Sequence, residues 1–197
     1  MGETLDPAHV VVDGWGPVAD ELAAQLRRCG VEVRAGGHAA DCAEAVLDGD
    51  DTAPRDDLGI DGRPDAVPPR AVVVVADGRA PAWAGTPWQA RGIPHLPVVV
   101  GTRGVVVGPL VIPGRTACLR CVRPTWGGGR PPSASDTPGG GVVLAAAVAT
   151  VTLLAVLRGD HSLGGISTEI GLDEVSVTHR LWNLRPGCGC AGVRMAG

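Results

Sequence analysis

Apolar residues come in two rhythms along this chain. In "HVVVD" (9–13) and "AVVVVAD" (71–77) they run together, as in strands buried on both faces. Between 16 and 30 they recur at helical spacing, at Val18, Leu22 and Leu26. Pro17 stands near the start of that helix and Gly30 closes it. "VEVR" (31–34) reads as the next strand. Strand, glycine turn, helix, glycine and strand predict a βαβ unit with a parallel sheet. A short helix is expected over 38–47 and a solvated, Asp-rich loop over 48–70, which lacks the residue order of a calcium loop. "PAWAGTPWQARG" (81–92) reads as a poor helix interrupted by Pro87. Strands are expected at 95–100 and within 104–114, broken at Gly101 and at Gly108 with Pro109. A Gly/Pro/Ser linker (124–141) precedes "VVLAAAVATVTLLAVL" (142–157), which carries no charge. That run is short of the roughly 20 apolar residues of a membrane span. It predicts a helix buried on all sides, in the core or at a subunit interface, and no membrane partner. "GISTEIGL" and "EVSVTHRLW" give two more strands, and no internal repeat is present.

Composition narrows the class. The 197 residues fit one domain, 1–197, in two parts: 9–114, and 115–197 with a buried helix over 141–158. There is no Lys, Phe or Tyr, so all 17 basic residues are Arg and the core rests on Val, Leu, Ala and Trp. A formal charge of −4 argues against a nucleic-acid partner. The N-terminus shows neither the basic flank nor the apolar stretch of a secretory signal, so a cytoplasmic location is expected.

Four of the six cysteines form two tight pairs: Cys118 and Cys121 in "RTACLRC", Cys188 and Cys190 in "GCGC". Two short thiolate pairs can close a tetrahedral site around zinc. Four protein ligands leave no open position, so such a site is structural, with a contribution on the order of 10 kcal/mol. An iron–sulfur cluster would use the same ligands, and a redox C-x-x-C would need only the first pair. Cys29 and Cys42 stand singly, and Cys29, at a helix end, is expected to be buried.

"DGWGPVA" (13–19) satisfies G-x-G-x-x-A with Gly14, Gly16 and Ala19, between a strand and a helix. In a working motif the glycines admit a phosphate to the helix N-terminus. Here Trp15 puts a ring into the turn and Pro17 removes an N–H. Arg34 stands near the place of a ribose-binding acid, where it could meet a phosphate or be a surface charge. The turn reads as inherited, without a bound nucleotide.

"GIPHLPVVVGTRGVVVGPLVIPGRTACLRC", the Ala-rich helix and the terminal "LRPGCGC" together resemble the ThiF/MoeB-type fold of ubiquitin-like-protein activating enzymes. Within it the chain is similar to the ThiF-like cyclodehydratase partner, or leader-peptide-binding, proteins of thiazole/oxazole-modified peptide biosynthesis. The likeness is densest over 92–123 and 141–191. It implies an α/β, Rossmann-like sheet with a degenerate nucleotide site and a C-terminal region stapled by zinc on Cys118, Cys121, Cys188 and Cys190. The family's ATP-handling residues find no match: no Lys is present, and nothing after "VEVR" resembles their Asn-x-x-Arg stretch. ATP is therefore not expected. No winged-helix-like module is expected ahead of the first strand.

The resemblance implies a non-catalytic partner that binds a precursor peptide and a YcaO-type cyclodehydratase or another modifying enzyme, as a homodimer. An ATP-dependent adenylating enzyme acting on a C-terminal carboxylate is the alternative. An oxidoreductase ranks last, for want of a ribose acid. Of the five His, none forms an i, i+4 metal pair, and His95 is expected to be structural or at the surface. Asp77 ends the strongest strand, where open sheets place ligand groups, but also suits the turn "ADGR". Ser133 and Ser135 lie in the linker without a placed His. Arg115, Arg120 and Arg123 surround the first cysteine pair, against a tetrathiolate's charge or for a partner.

Overall fold

The computed structural model describes residues 9–48, 67–78, 80–101, 104–122, 139–171 and 176–190. Most of the Asp-rich loop, Arg123, and the linker with Ser133 and Ser135 lie outside the described residues. The elements in chain order are β1 (His9–Asp13), α1 (Pro17–Arg28), β2 (Glu32–Gly36), α2 (Ala39–Asp48), β3 (Ala71–Asp77), a 3-10 turn (Ala82–Gly85), α3 (Thr86–Ala90), β4 (His95–Val100), β5 (Gly104–Val107), α4 (Gly139–Leu157), β6 (Ile166–Gly171) and β7 (Ser176–Leu181). The seven strands form one sheet in the order β2-β1-β3-β4-β5-β6-β7.

That sheet has two halves. β2, β1, β3 and β4 are mutually parallel, as the βαβ pattern predicted. From β4 onward each neighbour is antiparallel, so the whole is a mixed α/β sheet. Three residues between Val100 and Gly104 are too few for a crossover and force β5 to double back.

Alternation along the strands sorts two apolar layers. Val10, Val12, Val73, Val98, Val100, Val105, Val107 and Ile170 pack beneath α1 and α4. Val11, Val72 and Val74 face the other way, against Ala43 of α2, Trp88 of α3 and Ile93. Val18, Ala19, Leu22, Ala23 and Leu26 form the buried face of α1. Pro17 occupies its first turn, and Arg27 and Arg28 stand in its last turn, where cations suit the helix dipole.

Three expectations need correction. Pro87 does not interrupt a helix; it sits in the first turn of α3, where its missing N–H costs nothing, and a 3-10 turn precedes it. Cys29 is exposed, not buried. It follows Leu22 and Leu26 at helical spacing, but it is the C-cap residue, outside the last buried turn. The helix expected to be buried on all sides is half buried. α4 meets the sheet and α1 with Val142, Ala145, Ala146, Ala149, Leu153 and Val156, while Val143, Leu144 and Val151 are exposed. Apolar residues on every side of a helix cannot all be covered by neighbours on one side. Among the described residues, α4 is the one helix long and apolar enough to cross a membrane by length and composition.

Candidate metal centre and glycine turn

The two cysteine pairs meet. Cys118, Cys121, Cys188 and Cys190 bring their sulfurs within 4.8 Å of one another, close enough to hold one metal ion. Cys118 Sγ lies 3.8 Å from Cys121 Sγ and 3.6 Å from Cys188 Sγ, and Cys121 Sγ lies 3.5 Å from Cys190 Sγ. The first pair sits on a tight turn in which the Cys121 N–H donates to the Cys118 carbonyl at 2.8 Å. The second pair needs its glycines. Gly187 and Gly189 have φ of +78° and +75°, a region that residues with a Cβ enter at a cost. They turn both Cys188 and Cys190 toward the first pair.

The cluster is anchored on all sides. Val111, Ala117, Leu119 and Trp182 form a small apolar core around it. The Arg185 N–H donates to Cys121 Sγ at 3.4 Å, and Arg185 Nη1 reaches the Arg120 carbonyl. Buried Gln89 of α3 donates through Nε2 to the Cys190 carbonyl at 3.4 Å. Gln89 and Arg185 carried no sequence signal, because both act through backbone atoms that only the fold brings near.

The four thiols do not ionise alike. Burial opposes the Cys121 thiolate, but the Arg185 N–H and the Cys188 and Cys190 thiols outweigh it and bring the group down to about 7. Burial and the hydrogen bond with Cys121 push Cys190 up to about 12. The hydrogen bond with Cys121, then burial, also raises Cys188. Arg120 is held above its ordinary value by its hydrogen bond to Cys118 and the charge of the cluster. Four thiolates cannot gather in this space without a cation among them.

The glycine turn lies at the carboxyl end of β1, and some of its polar groups are engaged within the chain. The Gly14 N–H donates to the Gly36 carbonyl at 3.0 Å, and the Asp20 N–H donates to the Gly16 carbonyl. Asp13 Oδ1 accepts the Ala40 N–H at the start of α2, at 3.1 Å. Burial raises the Asp13 carboxyl, and the N–H groups of Ala40 and Ala39 offset part of the rise. Gly14 itself is obligatory: at φ +128°, a Cβ there would stand 2.6 Å from the Val75 carbonyl oxygen. A Cβ on Gly37 would come within 2.7 Å of the Trp15 ring, so the indole lies against the loop that follows β2. Ala19 is buried in α1. The register places Arg34 abreast of Val11, two residues short of the turn, and its charge helps burial to lower His9.

The remaining candidates scatter. His95 is buried at the start of β4, and its ring lies against Gly85. Its Nδ1 faces the Ile93 carbonyl at 3.1 Å and must donate, so Nε2 carries the lone pair. Burial lowers the ring to about 4, against the Ile93 hydrogen bond. Asp77 is exposed at the end of β3. Arg115 points away from the cysteines to His161, at 3.3 Å.

No family model and no curated protein matches the sequence. Solved structures do match in shape. E. coli MccB with ATP superposes with a TM-score of 0.63 at 16% identity, over 94% of this chain and 67% of that one. The microcin C7 biosynthetic enzyme MccB in complex with N-formylated MccA gives 0.65 at 18% identity, over 94% and 67%. This chain has the MccB fold. A heterocyclase in complex with substrate and cofactor contains the same fold, with a TM-score of 0.64 at 16% identity, over 94% of this chain and 26% of that one. The chain thus spans about two-thirds of the length of MccB and about a quarter of the heterocyclase. The MccB fold agrees with the ThiF-like architecture that the sequence resembles.

Proposed function

We propose that this chain is a non-catalytic partner in the biosynthesis of a ribosomally made, post-translationally modified peptide. In that role it binds the precursor peptide and a YcaO-type cyclodehydratase or other modifying enzyme. The fold supports the peptide-pathway part of this reading, since a microcin biosynthetic enzyme and a heterocyclase share it. The observation that carries the non-catalytic part is the glycine turn, part of whose polar edge is used within the chain. The Gly14 N–H is spent on Gly36, Pro17 at the start of α1 has no N–H, and Asp13 places a carboxyl directly before the turn, its Oδ1 on the Ala40 N–H. The chain also has no Lys to stabilise charge on a transferring adenylate.

The reading includes a structural zinc on Cys118, Cys121, Cys188 and Cys190. Zinc–sulfur bonds of about 2.3 Å make a tetrahedron with edges of about 3.8 Å. Three of the six sulfur separations, 3.5 to 3.8 Å, fit that figure, and all six lie within 4.8 Å. With four sulfur ligands the ion is full and has no open position for chemistry. Its role is to fasten the turn at 118–121 to the chain at 188–190. The reading takes the four thiols as metal-bound and the chain as cytoplasmic. One sheet shared by all seven strands supports reading 1–197 as one domain.

The adenylating enzyme stays as a second reading because MccB with ATP shares the fold. Two assays separate them. A labelled precursor peptide should bind the purified chain equally with and without ATP and magnesium. Addition of the chain to a YcaO-type enzyme should raise loss of water from the peptide, followed by mass spectrometry. Exchange of pyrophosphate into ATP by this chain alone would overturn the non-catalytic reading.

A further inference from the structure

Two buried side chains of unlike type share one need. His95 is 1% and Gln89 7% exposed. Among the described residues, Nε2 of His95 and Oε1 of Gln89 have no hydrogen-bond partner. Both atoms are fixed as acceptors. Nδ1 of His95 gives its proton to the Ile93 carbonyl, and burial keeps the ring neutral, so Nε2 bears a lone pair. The Gln89 amide donates through its own Nε2 to the Cys190 carbonyl, and turning the amide over would set two oxygens against each other. Two acceptors cannot bond one another. Each needs a donor, and a buried acceptor left without one is costly.

Gly85 brings the two together. A Cβ there would stand 2.6 Å from Nε2 of His95 and 3.1 Å from Cδ1 of Leu119, so the ring edge rests where a side chain would be. Gly85 has αR backbone angles directly ahead of α3, which puts Gln89 one turn further along the same face. Helical side chains lean toward the N-terminus, which carries the Gln89 carboxamide back toward Gly85. Leu119, beside Gly85, and Cys190, beside Gln89, belong to one apolar cluster, so both contacts fall on the same side of α3. We infer that one water molecule is bound here inside the chain, donating one hydrogen to Nε2 of His95 and the other to Oε1 of Gln89. Water supplies one O–H per acceptor and spans acceptors up to about 6 Å apart. A cation between two neutral groups would be a buried charge without a counter-ion. The bridge ties Gln89 to β4 through the water, while its Nε2 holds the Cys190 carbonyl. It thereby joins the sheet to the chain at 188–190, and the inference depends neither on zinc nor on peptide binding.

Nuclear magnetic resonance of the isotope-labelled full chain at pH 7 tests it. The Nε2 resonance of His95 should be that of an unprotonated ring nitrogen. Water should give cross-peaks to Hε1 and Hδ2, the two ring protons that flank Nε2, with the sign of a water held for longer than the protein takes to tumble. Gln89→Met, shown to be folded by circular dichroism, should abolish both cross-peaks. A protonated Nε2 overturns the inference, since the ring would then donate directly. Absent cross-peaks in the wild type overturn it too, as do cross-peaks that survive unchanged in Gln89→Met. Should that variant not fold, a crystal structure of the wild type decides. A water within about 3.2 Å of both atoms supports the inference. No water there, a metal ion in its place, or a direct hydrogen bond between the two side chains overturns it.

Discussion

Acid should find His95 first. The ring is buried at the start of β4, and its one hydrogen bond, Nδ1–H to the Ile93 carbonyl, exists equally in the neutral form. Burial moves the group from 6.5 down to about 4 in the folded state. The sign follows directly: the folded protein resists a proton that the unfolded chain accepts. The neutral ring therefore contributes its full stability above pH 6.5 and loses it as pH falls toward 4. A difference of 2.5 units at 1.36 kcal/mol each is about 3 kcal/mol, of which about 2 kcal/mol disappears between pH 7 and pH 5. Other groups titrate in that window, so the informative quantity is a difference between proteins. Urea unfolding of the wild type and of His95→Leu at pH 7 and pH 5 supplies it. His95→Leu should be the less stable protein at pH 7, because Ile93 loses its donor. It should nevertheless lose about 2 kcal/mol less than the wild type on going to pH 5. Equal losses in the two proteins would refute the burial argument.

Other consequences are as direct. Cys118→Ser should abolish the bound metal equivalent, read as zinc released by a thiol-blocking reagent, and lower the thermal midpoint by about 10 °C or more. Gly14→Ala should cost at least about 2 kcal/mol in a urea melt, since its Cβ meets the Val75 carbonyl and its φ is left-handed. Cys29 should be alkylated by a maleimide in the native protein well before any clustered cysteine, with the modified site located by peptide mass mapping.

The local elements were legible because their signals are local. Valine runs marked β1 and β3, and Pro17 and Gly30 bracketed α1 to within two residues. The cysteine cluster was legible because C-x-x-C and C-x-C have few competing uses at that spacing. The exposure of Cys29 was not legible: helical spacing places it on the buried face, and only the departure of the chain at the cap turns it out. Nor was the open side of α4, because an all-apolar helix does not say which neighbours it will have. The antiparallel turn at β5 could have been read from the three-residue connection after Val100. The burial of His95 depends on the turn at Gly85 folding over it, which no pattern around "HLPVVV" announces. The contacts of the glycine turn rest on Gly36 and Ala40, each more than twenty residues from its partner.

The distance between the cysteine pairs also sets an order in time. Cys118 and Cys188 are 70 positions apart. At roughly 5–20 residues per second, the first pair waits on the order of ten seconds during synthesis before the second exists. The parallel strands, all encoded earlier, can assemble in that interval. Closure of the sulfur cluster is then a late step that joins the newest part of the chain to a sheet already begun. On the proposed zinc reading, a shortage of the ion would leave α4 and the two last strands attached to a finished half but not yet locked to it.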